Sequence, residues 1–227
     1  MSTSPAPAVL FDIDGTLVDS NYLHVHAWVR AFHDVGIAAD TWRIHRAIGM
    51  DGSTLVDTLS DHAPDDIQKR LKDLHSRYYE ELIPLLRVLP GGRDILERVA
   101  SMGLQVVFAT SAPEDELAAL RRVLDSDDLV AAITSSEDVD TAKPDPDIIG
   151  VALDRAGVTA DQAMFVGDAV WDAKACARAG VSSIGLLSGG TSRDELTDAG
   201  ASAVFTDAAD LLAHIDDTAI GKLVTPS

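Results

Sequence analysis

The sequence predicts an α/β protein with a doubly wound, Rossmann-like parallel-sheet core and an all-helical domain inserted after the first strand. Short apolar runs of strand length alternate with segments of helical period along most of the chain, which is the pattern of βαβ units. One stretch lacks strand-like runs and has helical period throughout. The sequence therefore predicts a core of residues 1–17 and 91–227 and a helical insert of residues 18–90.

Six apolar runs are predicted to be strands. Each ends abruptly in polar or small residues, and the runs are rich in β-branched and aromatic side chains. Because they are apolar throughout rather than alternating, they are typical of parallel strands with both faces covered by helices. In chain order the runs are residues 9–13, 104–110, 129–134, 163–167, 181–186 and 203–205.

The segments between these runs carry recognisable helix ends. Pro113, followed by three acidic residues, opens one helix, and Asp145 with Pro146 opens another that ends at Gly157. A third helix ends at Gly180. Proline and acidic side chains suit the first turn of a helix, and glycine suits the position that closes it. Within the insert, one apolar position repeats every four residues up to Gly36, through Leu23, Ala27, Ala31 and Val35.

Composition narrows the class of partner. The net charge of −19 opposes binding to nucleic acids and to anionic membranes, which are themselves polyanions. The single cysteine, Cys176, cannot form a disulfide within the chain, and no apolar stretch reaches the ~20 residues of a membrane span. We therefore expect a cytoplasmic protein, monomeric or homodimeric, that acts on a small molecule.

Two pairs of carboxylates follow predicted strands. Asp12 and Asp14 end the first run, and Asp168 and Asp172 follow the fourth. Ligand sites in open α/β sheets lie at the carboxyl ends of the strands, so the two pairs are expected to share one crevice. Four converging carboxylates repel one another without a cation, and Mg²⁺ prefers such oxygen ligands. Either pair alone is equally compatible with helix capping.

Two further strand ends offer groups that bind phosphate. Thr110 and Ser111 close the second run with hydroxyl groups. Lys143, one of only five lysines, lies between a turn of small residues and a proline, where it supplies a point charge or remains a solvated loop lysine.

These motifs, taken in order, resemble those of the haloacid dehalogenase-like hydrolase superfamily. They are DIDGT at residues 12–16, Thr110, Lys143 with Pro144, and GDxxxD at residues 167–172. The insert resembles the helical cap that one subfamily, which includes phosphoglycolate phosphatases and β-phosphoglucomutases, carries between its first and second motifs. The resemblance implies a Mg²⁺-dependent phosphatase for a small phosphorylated metabolite, with the cap setting specificity.

The resemblance also implies a role for each matching residue. Asp12 is the nucleophile that forms an aspartyl-phosphate, and Asp14 is the general acid and base, which has to hold a proton at working pH. The implied metal residues are Asp12, Asp14 through its backbone carbonyl, Asp168 and Asp172, the last as a ligand or as an anchor for one. The implied phosphate-binding residues are Gly15 with its neighbouring backbone, Thr110, Ser111 and Lys143.

Cap residues are expected to decide the substrate. His24 either contacts Asp14 or lines the cap hinge, and the remaining histidines of the insert are expected to be scattered. Arg43, His45 and Arg46 either hold the end of the substrate away from its phosphate or are helix-surface charges. Phosphoglycolate would suit those three residues, whereas a sugar phosphate would suit the nearby hydroxyl side chains.

Two alternatives remain open from the sequence. One is a phosphotransferase resembling β-phosphoglucomutase, although the loop of residues 49–53 has Asp51 and lacks the arginine with which the mutase holds a second phosphate. The other is a catalytically silent relative that binds a phosphorylated ligand. Retention of Asp12, Asp14, Lys143 and Asp168 argues against silence.

Overall fold

The computed structural model describes residues 5–139 and 143–224. Within these ranges, six parallel strands form one sheet in the order β3-β2-β1-β4-β5-β6, with helices on both faces, so the predicted fold class is confirmed. Each strand coincides with one of the predicted apolar runs to within two residues at either end. The strands are β1 (Ala8–Phe11), β2 (Gln105–Ala109), β3 (Val130–Thr134), β4 (Ala163–Gly167), β5 (Ser182–Leu186) and β6 (Ala203–Phe205).

Register brings three strands to the same edge. In the central strand β1, Phe11 is aligned with Phe108 of β2 on one side and with Val166 of β4 on the other. The order of strands along the sheet reverses between β1 and β4, and ligands of doubly wound sheets bind at such a point. The residues that follow β1, β2 and β4 therefore meet in one crevice.

Eleven α-helices lie within the described residues, together with short 3-10 helices. They are α1 (Asn21–Val35), α2 (Thr41–Ala47), α3 (Gly52–Leu59), α4 (Asp65–Glu80), α5 (Gly92–Ser101), α6 (Glu114–Leu124), α7 (Asp147–Ala156), α8 (Val170–Ala179), α9 (Arg193–Asp198), α10 (Ala208–Ala213) and α11 (Ala219–Leu223). As predicted, α1, α7 and α8 end at Gly36, Gly157 and Gly180, each with the left-handed backbone that glycine accepts readily.

Alternate side chains of the strands face two apolar layers. Leu10, Val107 and Phe165 pack against α7 and α8, whereas Phe11 and Phe108 face the opposite layer, which includes α5, α6 and the helices of the insert. All five of these side chains are fully or almost fully buried. The central strand is thus covered on both faces, as its unbroken apolar run indicates.

The predicted insert begins and ends at two segments that pair with each other. Val18 forms an antiparallel bridge with Val88, the Asp19 N–H donates to the Arg87 carbonyl at 2.9 Å, and the Leu89 N–H donates to the Leu17 carbonyl at 2.9 Å. Between these segments the described regular elements are α1 to α4 and a short 3-10 helix. The outermost parts of the predicted core, residues 1–4 and 225–227, lie outside the described residues.

The buried face of α1 differs from the predicted stripe. Ala27 and Ala31 are buried, but Leu23 and Val35 are only half-buried, and the face toward the protein also carries His24 and Trp28. A strict four-residue repeat drifts around a helix that has 3.6 residues per turn, so its outer members leave the buried face. In addition, none of the described helices combines the length and apolarity needed to cross a membrane.

We predict that Leu10→Ala lowers the free energy of unfolding by about 2–5 kcal/mol, because it opens a cavity in the central strand, where Leu10 is fully buried. Leu85→Ala is the matched control, since Leu85 is 62% exposed and its truncation is expected to cost less than about 0.5 kcal/mol. Urea denaturation followed by circular dichroism measures both. Equal losses in the two variants would contradict the assigned core.

Candidate active site

A cavity of about 230 Å³ lies between the carboxyl edge of the sheet and the helices of the insert. Its base is formed by residues that follow β1 and β2, together with Lys143, and its roof by residues of α1, α3, α4 and the loop before α3. The base residues are Asp12, Asp14, Thr110, Ser111 and Lys143, and the roof includes Trp28, Ile48, Met50, Leu55 and His75. The structure thus brings six of the predicted site residues to one cavity, namely these five base residues and His24.

Lys143 forms two ion pairs at the carboxyl edge of the sheet. Its Nζ lies 2.9 Å from Oδ1 of Asp12 and 2.7 Å from Oδ1 of Asp172, and it donates a hydrogen bond of 3.1 Å to the Ala109 carbonyl. The lysine is 2% exposed, so it is not a solvated loop residue. Burial disfavours its charge, but the two carboxylates outweigh that effect and raise the pKa of Lys143, which therefore stays an ammonium.

The carboxylates around Lys143 are only partly compensated. Burial, together with repulsion from Asp172 and Asp14, raises the pKa of Asp12 to about 7 against the opposing charge of Lys143. Burial, with repulsion from Asp172 and Asp12, holds the pKa of Asp168 well above its usual range. One ammonium does not neutralise this group of buried acids, so the site retains excess negative charge that a cation would neutralise.

Asp168 is fixed by two donors that the sequence did not single out for this role. The Thr16 hydroxyl donates to its Oδ1 at 2.9 Å, and the Asn21 amide donates to its Oδ2 at 2.8 Å. Gly15 and Gly189 allow this packing, because a Cβ on either would overlap with the Asp168 carboxylate. Gly15 also has φ +69°, which favours glycine there.

The donor set fits a divalent cation. Carboxylate oxygens of Asp12, Asp168 and Asp172 lie within 4.8 Å of one another, and all three residues are buried. Oxygen ligands of this kind suit Mg²⁺, and the raised pKa values of Asp12 and Asp168 mark the charge that a cation would neutralise. The Asp14 side chain lies outside this set, so its predicted contribution stays a prediction about its backbone carbonyl.

Asp14 lies at the same cavity as Asp12 and is oriented by Ser20 and His24 of the insert. Its Oδ1 accepts a hydrogen bond from the Ser20 hydroxyl and lies 3.4 Å from Nε2 of His24. Burial raises the pKa of Asp14, but the contacts with His24 and Ser20 outweigh it, so the pKa lies below its ordinary value. This differs from the expectation of a protonated Asp14, because those contacts favour the carboxylate.

His24 begins a chain of side-chain contacts that runs from the insert to the core. Its Nδ1 lies 3.1 Å from Nε2 of His75 on α4, and Nδ1 of His75 lies 3.9 Å from Oε1 of Glu116 on α6. The three could also be considered as a metal site, since their ligand atoms lie within 4.8 Å of one another. However, the two imidazoles direct nitrogens at each other, and each uses its second nitrogen on a different neighbour. A chain of contacts describes this arrangement better than a chelate.

Sequence reasoning missed His75 and Glu116. The histidines were expected to be scattered, and His26, His33 and His62 are indeed exposed, but His24 and His75 are buried together. Glu116 looked like one of three acids that open α6. Its burial could not be inferred, since it involves residues that are distant in the sequence, such as His75 of α4, whose Nδ1 lies 3.9 Å away.

Of the predicted phosphate-binding residues, Thr110, Ser111 and Lys143 line the cavity, whereas Gly15 is not among the lining residues. Thr110 is buried at the cavity and accepts a hydrogen bond from the Ala112 N–H at 3.1 Å, and the buried Ser111 hydroxyl has no partner among the described residues. The Gly15 N–H donates to the Val18 carbonyl at 2.8 Å, so it is already used within its own loop. Gly15 serves close packing here, and its predicted phosphate contact is untested.

The three basic residues of α2 lie away from the described lining of this cavity. Arg43 is exposed, and Arg46 forms an ion pair with Glu195 of the core. His45 Nε2 lies 2.9 Å from the Gly189 carbonyl, and its ring stacks on Tyr22 with centroids 5.0 Å apart. Of the two open interpretations, the structure favours helix-surface charge for the arginines.

Comparison with known proteins identifies relatives of this chain. The family model described as haloacid dehalogenase-like hydrolase matches residues 9–186. A phosphoglycolate phosphatase of Rhodospirillum rubrum is 32% identical over 214 residues, covering 90% of this chain and 88% of that protein. A phosphorylated carbohydrates phosphatase of Thermotoga maritima is 29% identical over 188 residues, covering 78% and 83%.

Among solved structures, a hydrolase from Pseudomonas syringae is similar over nearly the whole chain. It superimposes with a TM-score of 0.89 at 37% sequence identity, and the match covers 93% of this chain and 98% of that one. The similarity therefore extends over the sheet, the insert and the cavity between them.

We predict that Asp168→Asn weakens binding of Mn²⁺, which takes the same oxygen ligands as Mg²⁺, by about tenfold or more. The reason is the loss of one of three converging carboxylates. Isothermal titration calorimetry measures the affinity, and Asp128→Asn, which removes an exposed acid, is the matched control. Unchanged binding in Asp168→Asn, in a protein that melts as the wild type does, would remove Asp168 from the metal site.

Proposed function

Because the chain belongs to the haloacid dehalogenase-like hydrolase family and is a phosphatase, we propose a specific reaction for it. It hydrolyses the phosphate monoester of a small metabolite through an aspartyl-phosphate on Asp12. The observation that carries the proposal is the position of Asp12. It lies at the base of the cavity, beside Asp14, with its carboxylate held by the buried ammonium of Lys143.

Asp12 acts as the nucleophile in this proposal. Its free oxygen attacks phosphorus in line with the leaving oxygen, so that a P–O bond to Asp12 forms as the P–O bond to the alcohol breaks. Lys143 offsets the repulsion between the Asp12 carboxylate and the phosphate dianion, which otherwise opposes attack. The hydroxyl groups of Thr110 and Ser111, both at the cavity, bind the phosphoryl oxygens.

Asp14 moves the protons. It donates a proton to the leaving oxygen in the first step and removes one from the water that hydrolyses the aspartyl-phosphate in the second. The lowered pKa of Asp14 suits the second role, while a phosphate dianion bound beside it favours the protonated form that the first role needs. Ser20 and His24 hold the carboxylate in place for both.

Mg²⁺ completes the site in this proposal. The carboxylates of Asp12 and Asp168 would hold it together with the backbone carbonyl of Asp14, and Asp172 would act as a further ligand or as the anchor of Lys143. When bound, the cation supplies Lewis-acid stabilisation of negative charge on the phosphoryl oxygens. Relatives named as phosphatases of phosphoglycolate and of phosphorylated carbohydrates support a small phosphorylated substrate.

The insert, residues 18–90, acts as a cap that covers this site. Trp28, Met50 and Leu55 give its roof apolar side chains, which exclude bulk water when a substrate is bound. Asp51 also lines the cavity and caps its own helix, α3, so the loop carries an acid where a second phosphate of a mutase substrate would need a cation. This favours hydrolysis over transfer between two phosphate positions.

We predict that Asp12→Asn reduces phosphate release by about a thousandfold or more, because no aspartyl-phosphate forms on an amide. A malachite green assay on a panel of phosphomonoesters, with Mg²⁺ or with EDTA, measures the loss. Binding of inorganic phosphate by the variant shows that its site is intact. Turnover that survives both the substitution and EDTA would contradict the proposed mechanism.

We predict that Asp14→Asn lowers kcat/KM for alkyl phosphates by about 10²–10⁴-fold and lowers kcat/KM for p-nitrophenyl phosphate much less. An alkoxide needs a proton to leave, whereas p-nitrophenolate is stable without one. The ratio of kcat/KM for the two esters, compared between wild type and variant, measures the acid role. An equal loss of kcat/KM on both esters would contradict the acid role, because kcat/KM reports the first step and not the hydrolysis of the aspartyl-phosphate.

A further inference from the structure

The carboxylate of Glu116 faces the cavity without a hydrogen bond. Glu116 is 8% exposed and lines the same cavity as Asp12 and Asp14. Among the described residues, no donor lies within hydrogen-bond distance of its side chain, and its ion pair with Nδ1 of His75 is long, at 3.9 Å. Buried polar groups in proteins are nearly always bonded, so an open acceptor at a substrate cavity points to a donor supplied by the substrate.

Stability of α6 does not account for this burial. Glu114 and Asp115 lie in the same first turn, are exposed, and already place negative charge at the positive end of the helix. Burying a third carboxylate costs free energy, and burial raises the pKa of Glu116 to about 7 although the charge of His24 works against that shift. Burial of the Glu116 carboxylate therefore lowers the stability of the fold, and a role in binding substrate would explain why an acid lies there.

The rest of the roof offers little to a negatively charged substrate end. Burial holds the pKa of His75 well below its usual range, so its imidazole is neutral. Lys72 lies at the rim, is exposed and donates to the Ser53 hydroxyl at 3.0 Å, while Asp51 adds a carboxylate. Of the basic residues of α2, His45 and Arg46 contact the core elsewhere and Arg43 is exposed. A carboxylate bound deep in this roof would meet Glu116, and the nearby charge of His24 is already paired with Asp14 at 3.4 Å.

We propose that Glu116 and His75 form the subsite for the leaving group, and that this subsite selects phosphate monoesters of alcohols with a hydroxyl or ammonium donor over those of alcohols with a carboxylate. Glu116 accepts a hydrogen bond from the donor, and His75 accepts or donates a second. The proposal rests on the phosphatase function proposed above and specifies its substrate class. It excludes phosphoglycolate as the preferred substrate.

Three esters of nearly equal size test the preference, because they differ mainly in charge at the end away from phosphate. They are phosphoethanolamine, 2-hydroxyethyl phosphate and phosphoglycolate. At about pH 8, where Glu116 is largely ionised, we expect kcat/KM for the first two to exceed that for phosphoglycolate by about tenfold or more. In Glu116→Gln the ratio of the ammonium to the carboxylate ester falls by about tenfold, mainly through KM.

Two further variants keep the test decisive. Glu114→Gln removes an exposed charge from the same helical turn and is expected to leave all three values unchanged. Glu116→Asp keeps the charge and is expected to retain the order of preference, which also covers the case in which Glu116→Gln does not fold. A wild-type preference for phosphoglycolate, or ratios that Glu116→Gln leaves unchanged, would overturn the subsite. Absence of phosphate release from these esters and from p-nitrophenyl phosphate would instead contradict the phosphatase function itself.

Discussion

A single buried ammonium holds together the carboxyl edge of the sheet. Lys143 lies between Asp12, which follows β1, and Asp172, in the first turn of α8, and both ion pairs are almost completely shielded from water. Removing one partner from such a group leaves an uncompensated buried charge, which is strongly destabilising. The register of β1 against β4 brings these acids close together. The donors around Asp168 and the excess negative charge that a cation would neutralise both follow from that proximity.

The fold could be predicted in detail because its signals are local. Most of the strands are largely apolar runs, and α1, α7 and α8 end at Gly36, Gly157 and Gly180. The convergence of Asp12 and Asp168 was also predictable, since parallel strands present their carboxyl ends at one edge. No comparable local rule places the residues of the roof.

The roof depends on packing between helices that are distant in the sequence. Glu116 lies at a position where an acid usually stabilises the helix terminus, yet it is buried at the cavity, 3.9 Å from Nδ1 of His75 on α4. Arg46 and His45 illustrate the reverse case, because α2 directs them to Glu195 and the Gly189 carbonyl of the core rather than to the cavity. Charge and spacing in a seven-residue helix do not determine which face meets the substrate.

The paired segments at residues 17–19 and 87–89 have a consequence for how this architecture varies. Because the chain leaves the core and returns to it at adjacent points, the register of β1 and β2 does not depend on what lies between them. Closing a longer or shorter loop at such a junction changes the entropy of the chain only slowly with length. The part of the insert beyond the start of α1 is therefore free to be enlarged, reduced or exchanged in evolution, whereas Ser20, Asn21 and His24, which contact the acids at the sheet edge, have to be kept.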